Sequence, residues 1–424
     1  MPTSQRIAAV EVTPVAFRDL PLLNAVGVHE PFAIRTIVEV RTDEGLTGLG
    51  ETYGDTAHLE RLRRAAELVA GTDVWDLNGL ARQVRNSLDG DTGSGGHGMA
   101  GMVTSSSTAD AVLSPFEVAC LDIQGKATGL PVSSLLGGAV RDRVDYSAYL
   151  FYKWAGHPDA EPDAWGAALD PEGIVAQAKR MIADYGFSAI KLKGGVFEPD
   201  AEIAAVRALA EAFPDHPLRL DPNGAWTVET SIRVGRELDG VLEYLEDPTT
   251  GIPGMAEVAR NVAMPLATNM CVVGFADLEP GIRQGAVRVV LSDHHFWGGL
   301  HRSKLLAGIC ETFGMSLSMH SNSHLGVSLA AMTHLAAATP NLTYACDTHW
   351  PWKDPEEDVV RPGVLAFSQG SVAVPTTPGL GVELDRDKLG ALHEQYLRSG
   401  IRDRDDTGYM LRIDPSYEPV KPRW

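Results

Sequence analysis

From about Val144 to Asp347 the chain repeats one pattern. A short β-rich run is followed by a stretch with apolar residues three and four apart. The runs are YSAYLF, SAIKLK, LRLD, VLEYLED, LATN, VRVVLSD, MSLSMH and TYACD, and the stretches between them include IVAQAKRMIADYG and LGVSLAAMTHLAAATP. Such a switch in period marks alternating strand and helix. Gly186, Gly240, Gly285 and Gly314 fall where the helices should stop. Eight strand candidates separated by seven helices, joined by right-handed crossovers, close into an α/β fold of the TIM-like kind, a (β/α)7β barrel.

The residues before the repeat read differently. IAAVEVTPVAF alternates apolar and polar residues, and FAIRTIVEVRTDEGLTGLGE turns back at Asp43-Glu44-Gly45 like a hairpin. Helical spacing then dominates from about Thr56 to Leu136. The expected organisation is therefore an α+β domain over residues 1–140, a barrel over 141–378, and a segment over 379–424 that packs back on the first domain. A length of 424 residues suits this better than a single compact unit. Gly93 to Gly98 matches G-x-G-x-x-G, but no strand of a βαβ unit precedes it. The stretch at 89–107 reads as a Gly/Ser-rich mobile loop, a lid over a site.

Composition removes several functions. A net charge of −20 repels phosphate backbones, so no nucleic-acid partner is expected. No apolar run approaches the ~20 residues of a membrane span, and MPTSQRIAAVEV has no long apolar core of a signal peptide. Cys120, Cys271, Cys310 and Cys346 are scattered, which fits a reducing compartment and no structural zinc. A cytoplasmic protein with a small-molecule substrate is expected.

The chemistry collects at strand ends. Lys191 and Lys193, then Asp221, Glu246, Asn269, Asp293 and His320, close successive runs at steps of 28, 25, 23, 24 and 27 residues counted from Lys193. Each step is one strand, one helix and two loops, so all of them reach the C-terminal mouth of the barrel, where barrel enzymes keep their active sites. Asp221, Glu246 and Asn269 form a hard-oxygen set suited to Mg²⁺, and no His or Cys joins them to favour zinc. Capping of the following helices would not require three in register.

Lys191 and Lys193 point to one side of their strand, roughly 7 Å apart at ~3.3 Å per residue. Their repulsion is expected to lower one amine into the range of a base while the other stays cationic. Asp293 beside His320 is expected to form an acid/base dyad. His294, His295 and His324 read as packing residues. With a metal between the lysine wall and the imidazole wall, the mouth suits proton removal next to a bound carboxylate.

These residues resemble the enolase superfamily, in particular its glucarate dehydratase subgroup. The motifs are Lys191-Leu-Lys193-Gly-Gly, Asp221-Pro-Asn223-Gly-Ala-Trp226, Glu246-Asp-Pro, Ala267-Thr-Asn269-Met, Asp293-His-His-Phe-Trp297, His320-Ser-Asn-Ser-His324, Asp347-Thr-His349-Trp and Pro378-Gly-Leu-Gly. The resemblance covers nearly the whole chain and implies an N-terminal capping domain. It also implies Mg²⁺ on Asp221, Glu246 and Asn269, bound to one carboxylate of an acid sugar. Lys193 or the His320–Asp293 pair would take the α-proton, according to its configuration. Lys191 would stabilise the enediolate, Asn223 would support the oxyanion, and His320 would assist loss of the β-hydroxyl.

By the same resemblance His29, Tyr149, Phe151, Ser321 and His349 line the sugar pocket, with Lys421 or Arg423 for the distal carboxylate. The stretch Thr249 to Pro253 departs from an acidic pattern found in some relatives, so Glu246 serves without a second acid there. Two other readings stay open: an epimerase or cycloisomerase using the same acid/base pair, and a low-activity paralogue that binds a sugar acid. Barrels of this kind often associate, so a homo-oligomer is expected by analogy of fold.

Overall fold

The computed structural model describes residues 5–93, 105–158 and 160–424. Its larger part is a parallel sheet of seven strands in sequence order: Ala148–Phe151, Ile190–Lys193, Leu218–Asp221, Leu242–Glu246, Leu266–Thr268, Val289–Leu291 and Ser316–Ser318. Parallel bridges from Leu317 to Leu342 and from Tyr146 to Cys346 draw the eighth β-rich run between the last strand and the first. The (β/α)7β ring is closed by these bridges rather than by a full ladder.

The helices between strands begin and end as the local sequence requires. Pro171–Tyr185 starts at Asp170, whose side chain accepts from the Gly173 amide at 2.7 Å, and Pro171 fits the first turn. It stops at Gly186, left-handed at φ 77. Gly326–Ala337 differs, because all twelve of its residues are buried. It has no solvent face because the N-terminal domain covers it. Glu51 of that domain accepts from the amides of Leu325 and Ser328 at 2.9 and 2.8 Å, placing a carboxylate at the positive end of the helix.

The N-terminal domain is a three-stranded antiparallel sheet, Ile7–Arg18, Phe32–Thr42 and Thr47–Tyr53, with helices packed on it. Ser105–Thr128 lies so close to the third strand that a Cβ at Gly48 or Gly50 would sit 2.0 Å from a helix carbonyl. Of the expected lid, residues 94–104 lie outside the described residues. Part of the last segment contacts the first strand. In the helix Arg386–Ser399, His393 bonds the Pro14 carbonyl at 2.7 Å and Gln395 that of Ala16 at 3.1 Å. Farther on, however, the same segment turns to the barrel mouth. Among the described residues no helix is long and apolar enough to cross a membrane.

Candidate active site

The strand register sets the lysine wall. Tyr149 pairs with Lys191 and Phe151 with Lys193, while Lys193 pairs with Asp221 on the next strand. Side chains two apart share a face, so two aromatics and two amines line the interior together. Lys193 Nζ lies 2.7 Å from Asp221 Oδ2. Lys191 Nζ is held among three carboxylates: Glu246 at 2.6 Å, Asp347 at 2.7 Å and Asp221 at 3.4 Å.

Burial opposes a charge on Lys191, but Asp347 and Glu246 overcome it and hold the amine well above its ordinary value. The expected repulsion between lysines therefore does not govern Lys191, because three acids outweigh one neighbouring cation. It is the permanent cation of the pair. Asp221 is affected in the opposite sense. Burial raises it, yet Lys193 and Lys191 bring it below the usual carboxylate range.

The donor set of Asp221, Glu246 and Asn269 fits a hard cation. Glu246 Oε1 and Asn269 Oδ1 are buried without a hydrogen-bond partner among the described residues. Burial and the adjacent Asp221 carboxylate push Glu246 well above its ordinary range. A divalent cation would satisfy the oxygens and oppose that rise. Asn269 stands just beyond its strand, its amide bonded to Asp247 Oδ2 at 2.8 Å, with no direct bond to Asp221 or Glu246 among the described residues.

On the other wall His320 Nδ1 donates to Asp293 Oδ2 at 3.0 Å. His295 Nδ1 donates to the other oxygen, Oδ1, at 2.7 Å. Burial alone would raise Asp293, but the two imidazoles hold it well below its usual range. His295 is thus more than packing. Asp293, His294 and His295 also bring three ligand-type atoms within 4.8 Å of one another. However, His295 Nε2 already faces Ser328 at 2.9 Å and the Arg35 guanidinium at 2.8 Å, and that fixed charge opposes a second cation. This cluster supports the dyad.

A cavity of about 60 Å³ joins the two walls. Lys193, Asn223 and His320 line it with His29, Tyr149, Phe151 and His349. Ser321 reaches it through His349, at 3.2 Å. Burial, with His29 nearby, holds His349 well below its ordinary value, so it stays neutral.

Neither Lys421 nor Arg423 lines this cavity. Lys421 bonds the Asn223 carbonyl, and the Arg423 guanidinium lies over the rings of Tyr417 and Trp424. Arg404 from the C-terminal segment lines it instead, braced on Asp406 at 2.7 Å. No periodicity in the tail marks Arg404. Asp347 had a signal, since it closes the eighth run 27 residues after His320.

Two family models match the chain: "Mandelate racemase / muconate lactonizing enzyme, N-terminal domain" over residues 7–137 and "Enolase C-terminal domain-like" over 173–388. The chain belongs to this family of the enolase superfamily. It is 56% identical over 430 residues to a "Probable glucarate dehydratase" of Streptomyces coelicolor, covering 99% of each chain. Two solved structures are similar throughout. A Mycobacterium smegmatis enolase complexed with tartrate has 66% identity and TM-score 0.96, over 100% of this chain and 99% of that one. A Thermobispora bispora enolase complexed with magnesium and formate has 62% identity and TM-score 0.97, over 99% of this chain and 100% of that one.

Proposed function

We propose that this chain is a Mg²⁺-dependent acid-sugar dehydratase, a hydro-lyase whose substrate is glucarate or a close relative. The observation that carries the reading is that Lys193 and the Asp293-bound His320 line one cavity with Arg404 and His29. Two proton-handling groups and an arginine suit a sugar with an acid at each end. The likeness to a probable glucarate dehydratase and to an enolase complexed with tartrate supports the same substrate class.

Asp221, Glu246 and Asn269 would hold Mg²⁺, which supplies positive charge for the near carboxylate of the substrate. Lys193 or His320 removes the α-proton, each from its own wall, according to the configuration of that carbon. Lys191, kept charged by its acids, stabilises the enediolate of the substrate without exchanging a proton. Protonated His320 gives its proton to the departing β-hydroxyl, and Asp293 keeps the imidazole aimed. Arg404 pairs with the far carboxylate.

The test is a panel of aldaric and aldonic acids with the purified protein and Mg²⁺. A semicarbazide-reactive keto-deoxy acid is expected from glucarate. No such product from any acid would refute the reading. Solvent deuterium entering the substrate without water loss would favour an epimerase.

A further inference from the structure

The turn after the third barrel strand owes part of its hydrogen bonding to the far end of the sequence. Asn223 at φ 60 and Gly224 at φ 72 are two left-handed residues in succession. Asparagine tolerates that conformation better than most residues with a Cβ, and here hydrogen bonds on both sides of the turn hold it there. The Asn223 amide donates to Asp221 Oδ1 at 3.0 Å and the Gly224 amide to the Asp247 carbonyl at 2.7 Å. The Asn223 carbonyl accepts from the Lys421 ammonium at 2.7 Å.

Lys421 does not act alone. The Arg423 amide donates to the Ala225 carbonyl at 2.6 Å, and the Thr227 amide donates to the main-chain oxygen of Trp424 at 2.5 Å. Residues 414–416 and 418–420, just before this contact, are exposed, and the segment is anchored here by these hydrogen bonds together with Trp424, which packs against the main core. Burial and the nearby charge of Lys193 draw the Lys421 amine down to about 8. A charged donor nonetheless sits on the carbonyl of the residue whose side chain enters the reaction cavity.

We infer that Lys421 is a positioning residue for the reaction. From the C-terminal segment it fixes the left-handed Asn223 turn, and so keeps the Asn223 amide in the cavity beside Lys193 and His320. It does not touch the substrate. The inference rests on the dehydratase reading for its catalytic consequence, though not for its effect on the turn.

The experiment compares the full chain with Lys421→Met, Lys421→Arg, Asn223→Ala and the double variant Asn223→Ala/Lys421→Met. Turnover is measured at saturating Mg²⁺, and backbone amide exchange is followed by mass spectrometry. Lys421→Met is expected to lower kcat about tenfold while KM and Mg²⁺ affinity move less than about twofold. Lys421→Arg should restore most of the loss. The double variant should be no slower than Asn223→Ala alone, because both changes act through one side chain.

Exchange should quicken in the peptide over residues 221–227 and stay unchanged over 293–300. Additive losses in the double variant, or unchanged exchange at 221–227, would overturn the inference. If the unaltered protein dehydrates no acid sugar, the dehydratase reading fails, and the exchange data still decide whether Lys421 holds the turn.

Discussion

The two walls of the barrel mouth handle charge in opposite ways. On the lysine wall two amines meet three carboxylates, Asp221, Glu246 and Asp347, nearly all without exposure to water. On the imidazole wall one carboxylate, Asp293, serves two rings, His295 and His320. Surplus acid makes Lys191 a fixed cation. A shared carboxylate instead orients imidazoles, which are groups able to take or release a proton near neutral pH. In the proposed reaction Lys191 therefore keeps its charge throughout, while Lys193 beside it and His320 on the facing wall are the groups that exchange protons.

The largest test removes the acid common to both lysines. Asp221→Ala should abolish Mg²⁺ binding in a calorimetric titration and lower turnover on the order of 10⁴-fold, as loss of several kcal/mol of electrostatic stabilisation implies. Retained Mg²⁺ affinity would break the ligand assignment.

Next come the proton-handling groups themselves. His320→Asn should cost roughly 10²- to 10⁴-fold in dehydration with Mg²⁺ affinity nearly unchanged. Lys193→Met should abolish solvent-deuterium exchange for substrates of one α-configuration only, and His320→Asn for the other. If both variants lose the same configuration, the two walls do not work separately.

A smaller effect is expected at His295. His295→Gln removes one of the two imidazole partners of Asp293 and should lower kcat about tenfold, at constant Mg²⁺ affinity. Unchanged kcat would return His295 to packing.

The smallest effect on turnover belongs to His334, which separates acid sensitivity of the fold from that of the mouth. Burial draws His334 down to about 4, between the Ser133 amide and the Leu380 carbonyl. Its ring stays neutral in the fold, whereas the unfolded chain takes a proton below about pH 6.5. Stability from His334 is therefore complete above that value and is lost as pH falls towards 4, by about 3 kcal/mol in all. His334→Gln should keep its turnover at pH 8 and show a flatter fall in denaturation free energy between pH 7 and 5. Equal slopes in the two proteins would exclude His334 as the source.

The barrel was legible because its repeat is local: each strand, helix and stop glycine is written within about 25 residues. The same regularity exposed Lys193, Asp221, Glu246, Asn269, Asp293 and His320, one per strand end. Asp347 obeys it too, but its importance depends on Lys191 pointing at it across 156 positions. His295 was passed over because adjacent histidines give no sign of which one turns towards Asp293. Arg404, and the contact of Lys421 with the Asn223 carbonyl, were beyond reach for another reason. The tail has no period, and its contacts follow from how the chain returns across the mouth. The spacing of the lysine pair is readable in sequence, but the electrostatics of Lys191 are not, since the three acids around it come from three separate parts of the barrel.

Arg404 reaches the cavity from a position only 20 residues before Trp424. During synthesis, then, Lys193 and His320, the groups proposed to move protons, emerge from the ribosome well before the arginine proposed to grip the far end of the sugar. A chain clipped ahead of Arg404 would keep the lysine and imidazole walls but lose the one guanidinium that lines the cavity between them among the described residues.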